Sequence, residues 1–355
     1  MDFVIWSVYE GVDMAKAVKL ADIAGKLGVS TVTVSKALSG QKGVSEVMRE
    51  KIKQLADEMG YKQPSALRQE KQPKSYNIGV LVSEQYLDKY DSFYWKMYQC
   101  VATKAVQNEC FTLFEIITRE SEQETNLPKI VLEQKVDGLI IVGRLSSAYL
   151  KMLHENASIP IVYLDFYDDV SSNDAVISNS YYGSYLLTNY LFAQGHTKIA
   201  YVGTLLFTGS ITDRYFGYAK SMMEHGVPIR DEWVIPDRDM QYGSIDFEGK
   251  LEKLQEKPTA YECNSDLTAS KLIKQLEDQG YRVPDDISVV GFDNYLYPGL
   301  CDVDITTYEV DMNEMAQKTI HILLKKMNGE HYKQGISIVE GRLVEKNSVR
   351  AWNKE

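Results

Sequence analysis

The 355-residue sequence predicts a small all-α head followed by a two-lobed α/β body with parallel sheets. Three observations carry that prediction. Residues 20–60 hold three short runs with apolar residues at helical spacing, broken at glycines. From residue 77 onward, near-continuous apolar runs alternate with helix-like stretches, the pattern of strands buried on both faces. Charge divides in the same way. Residues 14–75 carry twelve Lys+Arg against six Asp+Glu, a net +6, and residues 1–13 carry −3; with −11 for the whole chain, residues 76–355 hold −11 − 6 + 3 = −14. A basic head on an acidic body fits a polyanion-binding module joined to something that stays off polyanions.

Composition bounds the function. A hydrophobic fraction of 44% and a charged fraction of 25% are those of a soluble globular protein of two or three domains. No apolar run is long enough to cross a bilayer, and the opening MDFVIWSVYEGVD lacks the basic start and small-residue cleavage site of a secretory signal. Residues 1–13 are expected to be a disordered extension, with Met14 as the alternative start. Cys100, Cys110, Cys263 and Cys301 are scattered without a CxxC, which fits free thiols in a reducing cytoplasm and neither a disulfide framework nor a metal site.

The head occupies residues 14–61. Leu20, Ile23, Ala24 and Leu27 share one helical face, and Gly28 supplies the backbone freedom that ends a helix. Ser30 caps the next helix at once, with Val34, Ala37 and Leu38 inward. Ser45 caps a third, whose inward residues are Val47, Ile52, Leu55, Ala56 and Met59. An abrupt stop and restart is what a helix-turn-helix needs to project its second helix into a DNA major groove. Thr31, Thr33, Ser35 and Lys36 give that helix an outer face of small donors and one cation. A generic three-helix bundle is the alternative. Residues 62–75 are polar, contain two prolines, and read as a linker.

The stretch LADIAGKLGVSTVTVSKALSG, followed by VSEVMREKIKQLADEMGY, resembles the DNA-binding head of the lactose/galactose repressor family of bacterial transcription regulators. The match runs through Asp22, Ile23, Ala24, Gly28, Val29, Ser30, Thr33, Val34, Ser35, Lys36, Leu38, Val44, Ser45, Arg49, Lys51, Ile52, Gly60 and Tyr61 in fixed register. The resemblance implies that Thr31, Val32 and Lys36 face base edges, while Ser30, Thr33 and Ser35 serve phosphate or capping contacts. Lys36 stands where the family more often has arginine, so it would reach guanine as a point charge without the fork. The family's linker becomes a hinge helix that wedges a leucine into the minor groove. Here Leu67 and Arg68 are the matching residues, but Glu70 or Lys71 falls where that leucine is expected.

In the body, residues 77–83, 111–117, 136–143, 159–165, 198–203, 260–266 and 286–294 are expected strands, in two groups either side of about residue 175. Two α/β lobes follow, with a ligand at the carboxyl ends of the strands between them. The Gly-rich nucleotide cradles, catalytic-serine motifs and metal-ligand spacings are all missing, and the five histidines are isolated. No catalytic residue, cofactor or metal is expected.

The family resemblance extends through residues 76–350, on VDGLIIVG, IPIVYLD, GHTKIAYVG, SITDRYFGY, CNSDLTA, VPDDISVVGFDN and LVEKNSVR. It implies a type I periplasmic-binding-protein-like core holding a small effector. Residue by residue, it implies that Arg214 clamps ligand hydroxyls or a carboxylate, that Asp293 and Asp165 accept from hydroxyls, and that Ser210 sits in the same segment as Arg214. Asn264 or Ser265 would provide a polar contact, and the group Phe93, Tyr94 and Trp95 a stacking platform, Phe93 and Tyr94 first; three consecutive positions cannot all face one cleft, so at least one of them is expected in the core. Helix capping by Asp293 and Asp266 and a surface pair between Arg214 and Asp213 are the alternatives.

These features point to a non-enzymatic, cytoplasmic regulator that binds a near-palindromic operator as a homodimer and senses a small molecule, a sugar first and a nucleobase or amino acid second. The chain shows no heptad tail for a coiled-coil tetramer. The rivals are a solute-binding protein and a sugar-modifying enzyme with a DNA-binding head.

Overall fold

The computed structural model describes residues 18–61, 75–87, 92–169, 174–240, 243–247, 249–295 and 299–352. The expected extension at 1–13 and the linker residues 62–74, Leu67 and Arg68 among them, lie outside these. Contacts divide the chain into two units at Lys74/Ser75.

In the first unit, α1 (Leu20–Leu27) ends at Gly28, which is left-handed at φ 64° and returns its N–H to the Ala24 carbonyl. Three residues later α2 (Thr31–Leu38) begins, capped by the Ser30 hydroxyl, which accepts from the Thr33 N–H at 3.1 Å. α3 (Glu46–Glu58) closes the bundle. Ile23, Ala24, Val34, Ala37, Ile52 and Ala56 form its core. Two expectations fail in α3. Val47 lies in the first turn, 71% exposed, on the face away from that core. Ser45 occupies the cap position, but its side chain makes no capping hydrogen bond.

The second unit has two sheets. Its first strands are β1 (Asn77–Ser83), β2 (Phe111–Ile117), β3 (Gly138–Val142), β4 (Ile161–Leu164) and β5 (Asp174–Ser178). There follow β6 (Ile199–Val202), β7 (Val234–Ile235), β8 (Ala260–Cys263), β9 (Ser288–Asp293) and β10 (Thr306–Glu309), then β11 (Ile336–Val339) and β12 (Arg342–Val344). One sheet runs β11-β5-β4-β3-β1-β2, the other β12-β10-β9-β8-β6-β7. All residues of β3, β4 and β6 are buried, as strands covered on both faces require. The covering helices are α4 (Phe93–Gln107), α5 (Arg119–Gln123), α6 (Lys129–Leu132), α7 (Ser147–Asn156), α8 (Ser180–Ala193), α9 (Gly209–Glu224), α10 (Asp266–Asp278) and α11 (Met312–Asn328).

The lobes are not divided by a single boundary near residue 175. The chain crosses after β5, returns after β10 so that α11 packs on α4 and on β3 to β5, and crosses again between β11 and β12. The returning segment is fastened by Asp174, which pairs with Lys326 at 2.9 Å and accepts from the Tyr332 hydroxyl at 2.7 Å. β12 is antiparallel to β10, an exception in otherwise parallel sheets. β5, β7, β10, β11 and β12 went unread in the sequence because they are two to five residues long and several are polar.

Candidate functional site

Two surfaces merit attention, one in each unit. In the head, Thr31, Val32, Ser35 and Lys36 are exposed along α2, with Val32 60% exposed. That exposure leaves Val32 open to the base contact expected of it, though a lone exposed valine is ordinary, as Val47 in the same unit shows. Ser30 and Thr33 are bound to each other, hydroxyl to hydroxyl, at 2.9 Å, so they fix the helix start. Arg49 on α3 was legible only as part of a motif. Its guanidinium donates to the carbonyls of Ala37 at 3.0 Å and Gln41 at 2.9 Å, satisfying the open end of α2 and locking its pitch. Those bonds span eight to twelve residues, beyond the reach of local pattern.

In the body, Phe93, Tyr94, Asp165, Ser210, Arg214, Asn264, Ser265 and Asp293 line one cavity of about 250 Å³ between the lobes. The fold explains the convergence: Asp165 follows β4, Asn264 and Ser265 follow β8, and Asp293 ends β9, all at carboxyl ends of parallel strands. Asp165 and Asp293 both have left-handed backbones, at φ 69° and 102°. Such conformations cost energy outside glycine and aim the side chains into the cleft.

Arg214 organises the second-lobe wall. It pairs with Asp293 at 3.2 Å, donates to the Asn264 carbonyl and to the Ser180 hydroxyl, and lies over the Phe292 ring at 3.7 Å. It does not form the surface pair with Asp213. Burial pushes the Asp293 carboxyl up to about 7, with the Asp165 charge adding to the rise and Arg214 opposing it. Asp165 is likewise pushed up by burial, to about 6, against the pull of Arg214 and a 3.0 Å hydrogen bond from the Tyr94 hydroxyl. Both carboxyls can therefore accept from, or share protons with, an uncharged polar ligand near neutral pH.

The neighbouring groups are less free. The Asn264 amide donates to Val202 and Asp237 and its oxygen accepts from Arg238, so its side chain is spent inside the protein. Ser265 caps α10, accepting from the Thr268 N–H at 3.1 Å. Asp266 is buried and held by the Tyr295 N–H at 2.9 Å; a Cβ on Gly291 would come 2.1 Å from its carboxylate, so only glycine fits there.

The aromatic platform forms from Phe93 and Tyr94, edge to face at 5.3 Å, with Tyr86 at 4.7 Å from Tyr94 and Tyr295 at 6.2 Å from Phe93. Trp95 turns away to pack with Tyr98 and Phe114. Tyr86, Arg238, Lys271 and Tyr295 also line the cavity and were missed. Arg238 follows the two-residue β7, too short to read as a strand, and Lys271 looks like any helix-surface lysine. Among the described residues, no group of three His, Cys, Asp or Glu could hold a metal ion, and no helix is long and apolar enough to cross a membrane.

Comparison with known proteins gives the company this chain keeps. Residues 19–64 match the family described as "Bacterial regulatory proteins, lacI family", and residues 188–349 match a "Periplasmic binding protein-like domain". The chain is 27% identical over 337 residues to the HTH-type transcriptional repressor PurR of Aliivibrio salmonicida, covering 93% of this chain and 98% of the relative. The PurR of Vibrio parahaemolyticus is likewise 27% identical, over 94% of this chain and 99% of its own length. Among solved structures, the lac repressor dimer bound to operator and the anti-inducer ONPF superposes with a TM-score of 0.64 at 25% identity, over 95% of this chain and all of that one. A complex of the transcriptional regulator CelR with cellobiose shares the fold, with a TM-score of 0.66 at 22% identity over 93% of this chain and 99% of that one.

Proposed function

We propose, for a chain that belongs to the lacI family of bacterial regulatory proteins and is a DNA-binding transcription repressor, that a carbohydrate-like effector in the cleft sets its grip on an operator. The observation that carries this reading is the meeting of Asp165, Asp293 and Arg214 with the rings of Phe93 and Tyr94 in one cavity. Carboxylates and a guanidinium suit adjacent hydroxyls, and aromatic faces suit the C–H face of a sugar ring. The matched relatives and solved structures are named as regulators, which supports a protein that reads its ligand without turning it over. A nucleobase is the second reading, favoured by the relatives named PurR.

In the head, Thr31, Val32 and Lys36 read bases, and Ser30, Thr33 and Ser35 fix the helix against phosphates. Leu67 and Arg68 belong to the linker, with a hinge role if the linker orders on DNA. One three-helix head makes too few contacts for tight, specific binding, so the protein acts in the cytoplasm as a homodimer on a near-palindromic operator. Val106, Phe111 and Ile116, exposed on α4 and the edge strand β2, supply apolar surface for pairing. Coupling arises because the ligand binds one lobe arrangement better than another.

A gel-shift titration of the full chain on a pseudo-palindromic duplex, with sugars and nucleobases in turn, tests this. One class changes operator affinity, and Lys36→Ala weakens binding roughly tenfold. Binding that prefers no duplex over scrambled DNA overturns the regulator reading. Selective binding that no ligand alters overturns the effector.

A further inference from the structure

The cleft lining includes two basic side chains, Arg238 and Lys271, with donors that no described protein group takes up. Asp237, fully buried, accepts from the Thr204 N–H at 2.8 Å, from Thr268 at 2.8 Å and from Asn264 at 2.7 Å, and pairs with Arg238 at 2.6 Å. This carboxylate holds the Arg238 guanidinium by Nε and Nη2, and Nη2 also donates to Asn264 at 3.0 Å. Arg238 Nη1 donates to no protein atom among the described residues, although the residue lines the cavity. Lys271 lines it too, half-buried on α10, without a hydrogen bond or ion pair among the described residues. Side chains on a helix lean toward its N-terminus, which carries the Lys271 ammonium toward the cleft end of α10. Asp237 compensates Arg238, Asp293 is paired with Arg214 and Asp165 is held by Tyr94, so Lys271 is the cation of the cavity lining without a carboxylate partner among the described residues.

The local backbone agrees in sign. α9 and α10 both begin at the cavity, capped by Thr208 and Ser265. Each cap side chain takes one first-turn N–H, from Ile211 and from Thr268. The N–H groups of Ser210 and Leu267, residues that line the cavity, remain for a ligand, and the dipoles of both helices favour negative charge there.

We propose that the effector is anionic: a ring bearing a phosphate monoester or a carboxylate, whose charged group sits between Arg238 and Lys271 while its hydroxyls face Asp165 and Asp293. This rests on the cleft being the effector site. Arg238, held by Asp237 and with Nη1 unengaged among the described residues, gives direction; Lys271, unpaired among the same residues, gives the charge.

The test is calorimetric titration of the full chain with matched probes: hexoses and pentoses, their phosphate monoesters, and the corresponding uronic and aldonic acids, with inorganic phosphate as a separate arm. An anionic probe is expected to bind at least about tenfold tighter than its neutral counterpart. Lys271→Gln removes about tenfold of that advantage, read as the ratio of anionic to neutral affinity within the same variant, and the phosphate and acid arms tell which group is recognised. Arg238→Gln gives a second reading of the same loss where its melting matches that of the parent chain. A neutral sugar that binds as tightly as its phosphate and its acid, or a Lys271→Gln variant with unchanged preference, overturns the anionic effector and leaves the effector cleft standing. Neutral and anionic probes that all fail to bind overturn both.

Discussion

In the first lobe the strands run β2-β1-β3-β4-β5, and in the second β7-β6-β8-β9-β10 repeats that order; each sheet takes its sixth strand from the chain's return. The carboxyl ends of the two sheets nevertheless carry different chemistry. The first lobe offers the rings of Tyr86, Phe93 and Tyr94 and one carboxyl, Asp165, held by a neutral phenol. The second offers Arg214, Arg238, Lys271 and Asp293, backed by the buried Asp237 and Glu262. Topology decides where a ligand can sit, and the side chains at the strand ends decide what it is. The proposed effector would draw its stacking half from one lobe and its charged half from the other, so full recognition would require both walls together.

The largest way to break this asymmetry is Arg214→Ala. It leaves Asp293 buried without its cation and the Asn264 carbonyl without its donor. A loss of about 4 kcal/mol is expected in urea unfolding, together with loss of effector binding. A drop below about 1 kcal/mol would mean that the second-lobe wall does not depend on this pair. Next comes Glu262, buried on β8 and accepting from the Ser184 and Thr188 hydroxyls. Burial pushes its carboxyl up to about 8, so the fold favours the protonated form. The associated stability is present in acid and is lost as pH rises from about 4.5 toward 8. Relative to a Glu262→Gln variant, the parent should lose roughly 3 kcal/mol between pH 5 and pH 8. Parallel pH profiles would contradict it.

Gly217→Ala is the third. Gly217 lets α9 approach α8 closely: an added Cβ would lie 2.1 Å from the Tyr181 carbonyl oxygen and 2.9 Å from the Tyr185 nitrogen. Both contacts are backbone, so neither can rotate aside, and about 2 kcal/mol should be lost. Thermal melting that matches the parent would show that the helices separate cheaply.

Much of this was legible in the sequence, for a physical reason. A strand covered on both faces is a near-continuous apolar run, so NIGVLVS marks β1 residue for residue; FTLFEII marks β2 as well, although that edge strand is only partly buried. Helix punctuation was equally local: Gly28 and Ser30 delimit α1 and α2 through bonds reaching no more than five residues. What escaped depends on distant partners. β11 is ISIV, half-exposed and paired only with β5, which lies some 160 residues earlier in the chain. Arg238 is fixed by Asn264 and Thr268 across a separate strand. Asn264, expected to meet a ligand, has its amide absorbed by that same network. Residue type told which groups could bind a ligand; only the three-dimensional neighbours told which had bonds to spare.

The smallest effect sharpens the comparison most directly, because it strikes the first-lobe counterpart of the Arg214–Asp293 pair. Tyr94→Phe removes a single neutral donor from Asp165 and leaves the ring in place. A hydrogen bond to the ionised form holds a carboxyl down, so its loss should lift Asp165 above its present value of about 6. The stability cost should be about 1 kcal/mol at pH 8, where the carboxylate is charged, and smaller at pH 4, where it is not. Carbon-13 NMR titration of the Asp165 carboxyl reads the shift, and urea unfolding at the two pH values reads the cost. An Asp165 that titrates unchanged in Tyr94→Phe would mean that the phenol does not hold it, and that the first lobe contributes rings alone. A cost equal to that of Arg214→Ala would erase the difference between the two walls.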